Sequence, residues 1–88
     1  MNKIEKKIDP EYFDAIVSGK KKYELRLGDF EISDGDILIL REFDRSTQAY
    51  TGREVEKKVT YVWKFDISKL WWSLEDINRH GLQIIGIE

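Results

Sequence analysis

Cysteine is missing from the chain, and with it go disulfide staples and thiolate metal sites. Histidine occurs once, at His80, so no second imidazole exists to complete a metal site, and neither a metal nor a cofactor is expected. Long apolar runs are absent as well: nothing approaches the roughly 18 residues of a membrane span. Residues 1–7 alternate in charge where a signal peptide needs a continuous apolar stretch. These absences lead to the expectation of a soluble, cytoplasmic protein with no membrane partner. Gly-rich phosphate loops, nucleophile elbows, dinucleotide fingerprints and metal-binding helix motifs are also lacking, which removes most common enzyme classes. Charge of one sign is scarce too. Fifteen Lys and Arg against seventeen Asp and Glu give a net charge of −2, so any contact with nucleic acid has to be local.

Aromatic side chains are plentiful. The 88 residues suffice for one domain, 1–88, with a single core, and a chain this short needs efficient packing. Four Phe, four Tyr and three Trp supply it on this reading, since each ring can bury roughly 150–250 Å².

The periodicities predict the order β-α-β-β-β-α-β. Residues 2–8 read as a strand, followed by Asp9-Pro10-Glu11 as N-cap, N1 proline and first-turn acid of a short helix. Phe13, Ile16 and Val17 give that helix its apolar stripe, and Gly19 ends it. Alternation over 20–26 predicts a second strand, with Tyr23 and Leu25 on one face and Lys22, Glu24 and Arg26 on the other. The run 36–43 is apolar on both faces and reads as an interior strand. Residues 44–52 are polar and read as an exposed hairpin loop, leading into a long strand over 53–65 that Lys57 interrupts with a bulge, a bend or an exposed edge. Ser73 caps a second helix closed by Gly81, and 82–87 read as the last strand. A mainly β, α+β chain of five strands and two short helices suits a partly closed barrel, because closure removes strand edges.

The segment 19–26 carries the chemistry. Lys21 offers a mobile point charge, Arg26 a planar fork of donors, and Glu24 an acceptor able to hold either in place. Together they suit a polar, partly anionic ligand. As an isolated pattern, Lys-x-x-Glu-x-Arg is better read as a solvated, ion-paired strand face, and it is the resemblance below that shifts the reading.

Gly19-x-Lys21-x-x-Glu24-x-Arg26 resembles the signature of the ASCH superfamily, a branch of the PUA-like β-barrels. The resemblance extends to Pro10-Glu11-Tyr12-Phe13, Gly35-Asp36 and Tyr50-Thr51-Gly52-Arg53-Glu54, which are similar to a group of small bacterial and phage ASCH-like proteins. It implies a five-stranded, partly closed barrel whose signature residues line a cleft beside the first helix, and a role in binding RNA. Some small ASCH proteins are implied to be amidohydrolases acting on acylated cytidine through a lysine, a threonine and a glutamate. Lys21 matches that lysine, Glu24 stands where the threonine is expected, and Glu75 is the candidate for the second carboxylate.

Two expectations follow: a binding module for RNA or a nucleotide-like ligand using Lys21, Glu24 and Arg26, or a hydrolase of modified nucleosides with Lys21 and Glu24 as catalytic residues. Tyr50 and Arg53 flank Thr51-Gly52 and are candidates to extend the site, with an ordinary hairpin turn as the alternative. Trp71 and Trp72 are expected to split, one entering the core and the other left as a stacking surface or a contact for a protein partner.

Overall fold

The run 37–43 is apolar on both faces of an extended backbone, and it becomes the centre of the sheet. In the structure, a computed structural model describing residues 1–83 and 85, this is β2 (Ile37–Asp44). Strand β1 (Lys3–Ile8) pairs with it in parallel, and β3 (Ala49–Lys58) pairs with its other edge antiparallel, giving the order β1-β2-β3. Helix α1 (Pro10–Val17) follows β1, a 3-10 turn spans Ile67–Lys69, and α2 covers Leu74–His80. The described residues thus form a small α+β unit with a three-stranded mixed sheet. No helix among them is long and apolar enough to cross a membrane.

Alternation in β2 sends Leu38, Leu40 and Glu42 toward α1 and Ile39, Arg41 and Phe43 to the opposite side. Phe13 and Ile16, one helical turn apart on α1, pack with Ile8, Leu38 and Leu40 to make the core, and Ile4, Ile32, Val55 and Val59 close around it. Leu40, only 1% exposed, sits at its centre.

The helix starts and stops largely as its residues dictate. Pro10 opens α1, and Gly19 adopts φ +83°, which only glycine takes at little cost, turning the chain out of the helix. The Lys21 N–H then donates to the Ala15 carbonyl at 2.9 Å, fastening the next segment to the helix end. Asp9 departs from expectation: it stands at the N-cap position, but its carboxylate accepts from the Arg45 Nε at 2.9 Å instead of capping the helix. Ser73 does cap α2, accepting from the Asp76 N–H at 3.1 Å.

Asp36 is buried where β2 begins. Its carboxylate accepts the N–H of Asn2 at 3.0 Å and that of Ser33 at 2.9 Å, and these two bonds hold it below the usual carboxylate range. One side chain thereby ties the start of the chain to the turn before β2.

Several expected elements are different. Residues 20–26 are not a strand, because the Lys21 and Glu24 side chains meet, and side chains three apart on an extended strand would point to opposite faces. The hairpin loop shrinks from 44–52 to 45–48, since the Asp44 carboxylate accepts the Ser46 N–H at 2.9 Å and closes a tight turn, allowing Ala49 and Tyr50 to pair with Asp44 and Phe43. Strand β3 ends at Lys58 instead of 65 because β2 has run out: Lys58 already faces Ile37, its first residue. Lys57 pairs regularly with Leu38, and the irregularity lies instead opposite Glu42. Leu82 and Gln83 are not in a strand, while 84, 86 and 87 of the expected last strand lie outside the described residues.

The aromatic core is also corrected. Of the eleven rings only Phe13 is buried, and Trp71 and Trp72 are both exposed, packed edge-to-face against each other at 5.7 Å. For the five rings after Lys58 the cause lies in the topology: β3 ends there, and α2 buries none of its residues.

Candidate functional site

Beneath α1, between segments 19–32 and 57–67, lies a hollow of about 1080 Å³, at the upper end of the size of small-molecule pockets. Its floor includes Leu38 and Leu40, and Lys21, Glu24 and Arg26 all line it. Glu24 is the hub. One of its carboxylate oxygens accepts from the Lys21 Nζ at 2.5 Å, and the other accepts from the Arg26 Nε at 2.8 Å.

Each cation is held a second time by backbone. Lys21 donates to the Tyr23 carbonyl at 2.9 Å, and the Arg26 Nη2 donates to the Lys7 carbonyl at 2.7 Å, bringing the segment to the end of β1. The Lys21 ammonium also lies 4.8 Å from the Tyr23 ring centre and 5.7 Å from that of Tyr12. The group is only part-buried, with Lys21 16%, Glu24 15% and Arg26 29% exposed. Both carboxylate oxygens are engaged, and donor hydrogens remain on the ammonium and, above all, on the guanidinium. The arrangement is a pre-oriented pair of cations facing a concavity.

Tyr50 and Arg53 do not line this hollow. Tyr50 is on the opposite face of the sheet, edge-to-face with Phe43 at 5.2 Å and stacked by the Arg41 guanidinium at 3.9 Å, with Lys7 nearby. Arg53 is committed elsewhere. Where Arg41 pairs with Glu54 and Phe43 with Tyr50, the single residue Glu42 faces Thr51, Gly52 and Arg53, and Gly52 takes φ +94° to accommodate the bulge. The bulge turns both flanking side chains onto Glu42. Thr51 donates its hydroxyl hydrogen to Glu42, while Arg53 donates from Nε at 2.9 Å and from Nη2 at 2.6 Å. The same Nη2 reaches Asp14 on α1 at 3.0 Å, and the guanidinium lies over the Phe13 ring.

Glu42 is 3% exposed, and the bonds from Arg53 and then Thr51 hold its carboxyl below the usual range, while Glu42 and Asp14 push the Arg53 pKa further up. This cluster pins α1 to β3. Sequence reasoning missed Glu42, although an acid two and four residues after Leu40 and Leu38, on the same face as both, signals a buried charge in need of partners.

Glu75 is on α2, paired with Arg79 at 3.1 Å, and is not part of the hollow. Thr60, not singled out in the sequence, does line it. His80 borders a separate small depression with Trp72 and Ile77. Among the described residues no group of His, Cys, Asp and Glu is arranged to hold a metal ion.

Comparison with known proteins gives a family. The model described as "Domain of unknown function (DUF3850)" matches residues 4–75, from β1 to the start of α2. The chain belongs to this family. A curated relative, the "Uncharacterized 12.9 kDa protein in GpA 3'region" of Escherichia phage P2, is 39% identical over 72 residues, which cover 82% of this chain and 60% of that protein. The chain thus spans less than two thirds of the relative's length. No solved structure matches significantly.

Proposed function

We propose that this DUF3850 domain is a binding module for RNA or a nucleotide-like ligand, and that the hollow beneath α1 is its site. The supporting observation is the convergence of Lys21, Glu24 and Arg26 on one ligand-sized concavity, with the carboxylate orienting two cations that retain donors. Arg26 suits a phosphate or a base edge through its planar fork, and Lys21 adds a compact charge beside it. The likeness to ASCH and PUA-like proteins belongs to the same reading, as do the completed five-stranded barrel and a cytoplasmic setting. Among the described residues the outer edge of β3 pairs with no further strand, which leaves room for the additional strands of such a barrel.

Hydrolysis of acylated nucleosides is the second reading, favoured by the direct contact of Lys21 with Glu24. Binding is the better supported of the two, because both Glu24 oxygens are occupied and Glu75 is remote from the hollow. A panel of short RNAs, nucleotides and acylated nucleosides, incubated with wild type and Lys21→Ala, separates them. Binding weakened in the variant with no turnover in either protein is expected; deacylation lost in Lys21→Ala would replace binding with hydrolysis, and indifference of both proteins to the panel would end the proposal.

A further inference from the structure

The hollow has a second wall that the 19–26 motif does not explain. Segment 57–67 builds it, and its rings stand in water: Tyr61 is 77% exposed and Trp63 56%, the latter lying 4.5 Å from Phe65. Isolated exposed rings are ordinary, but these share one rim of a concavity with Lys58 and Lys64.

The charge distribution points the same way. Six of the fifteen basic residues line the hollow and only two of the seventeen acids do, so a protein of net charge −2 gathers its positive charge here. Lys57 and Lys58 have no carboxylate within 4.0 Å among the described residues, and Lys64 reaches only the exposed Glu31, at 3.7 Å. Cations interleaved with upright rings match a single-stranded polynucleotide, whose phosphates meet ammonium groups while its bases stack on aromatic faces. A duplex keeps its bases stacked on one another and offers the rings nothing. An acidic peptide matches the charge but brings few flat faces.

We propose that the 57–65 wall is a second subsite, taking the following nucleotides of a single strand whose first is held by Lys21 and Arg26. The subsite rests on the nucleotide-binding reading of the hollow. Stacking on Tyr61 and Trp63 favours no particular base, so the recognised chemistry is an unpaired polynucleotide, RNA or DNA.

The test is fluorescence anisotropy of the full chain with labelled mixed-sequence ten-residue RNA and DNA strands, their duplexes, a labelled mononucleotide and an oligoglutamate, across a range of salt. Single strands are expected to bind more tightly than the mononucleotide, the duplex or the peptide, and the RNA and DNA arms tell which polymer is preferred. Trp63→Ala is expected to weaken strand binding about ten-fold or more while leaving the mononucleotide unaffected. The double variant Lys57→Gln with Lys58→Gln, both on exposed positions, is expected to flatten the log–log salt slope by about 1.4, and it stands as the test should Trp63→Ala fold poorly. Equal affinity for strand and mononucleotide, both lost in Arg26→Ala but indifferent to the wall variants, would overturn the subsite and leave the first reading intact. Preference for duplex or oligoglutamate would overturn the subsite, and binding of none of the nucleotides would end both.

Discussion

Glu24 and Glu42 are each gripped by an arginine and a second donor, yet they live in different regions and serve different ends. Glu42 projects from the central strand, is sealed between α1 and β3, and draws Thr51 and Arg53 onto itself through a bulge. Glu24 lies in an irregular segment, part-buried on the rim of a hollow, with cations that retain donors. Closure is what separates them: a closed cluster welds elements together, whereas an open one presents charge to whatever enters.

The sharpest break of this comparison is the pair Glu42→Gln and Glu24→Gln, followed by thermal unfolding. Glu42→Gln leaves Arg53 without its buried counter-charge, and Tm is expected to fall on the order of 10 °C; Glu24→Gln, on a part-exposed ion pair, should cost about 2 °C. Equal losses would mean that both clusters are structural.

Acid unfolding sharpens it further. The folded-state carboxyls of Glu42 and Asp36 sit below their ordinary values, so their contribution is complete above the unfolded values of about 4 and is lost as pH falls through the folded ones. Stability should therefore be level from about pH 5 to 7 and decline below about pH 4, with Glu42→Gln showing a shallower decline, as followed by urea midpoints. A decline already under way at pH 6 would contradict this.

On the open side, Lys21→Ala and Arg26→Lys are expected to shift Tm by no more than about 2 °C while weakening short-RNA binding about ten-fold, since a lysine at 26 cannot span Glu24 and the Lys7 carbonyl while keeping a planar fork. Titration calorimetry beside melting curves reads both effects, and a variant that melts early yet binds normally would reverse the assignment. The smallest effect belongs to Arg45→Ala. That side chain is 78% exposed in its pairing with Asp9, and its loss should change the unfolding free energy by less than about 1 kcal/mol.

The convergence of Lys21, Glu24 and Arg26 is legible in the sequence, though its local cause is not the one that alternation predicts. Strand alternation predicts 24 beside 26, whereas the contact of 21 with 24 comes from a bend anchored by Gly19 and the Ala15 carbonyl. Helix α1, strand β2 and the Ser73 cap were readable because apolar spacing and capping residues act over a few positions. The end of β3 was not, because it depends on where its partner begins, and no property of residues 59–65 themselves encodes that. Tyr50 and Arg53 stand apart from the hollow, a placement that residues 50–54 alone do not encode, because the bulge forms opposite the buried acid at 42 in another strand.

The Arg26 bond to the Lys7 carbonyl bears on solubility too. Among the described residues β1 is the outer strand of a parallel pair, and a bare parallel edge is a template on which a neighbouring molecule's backbone can propagate into aggregates. A guanidinium seated on one of its carbonyls, next to a row of Lys3, Glu5 and Lys7, spoils that template, so the side chain proposed to greet a ligand also helps keep copies of the protein apart.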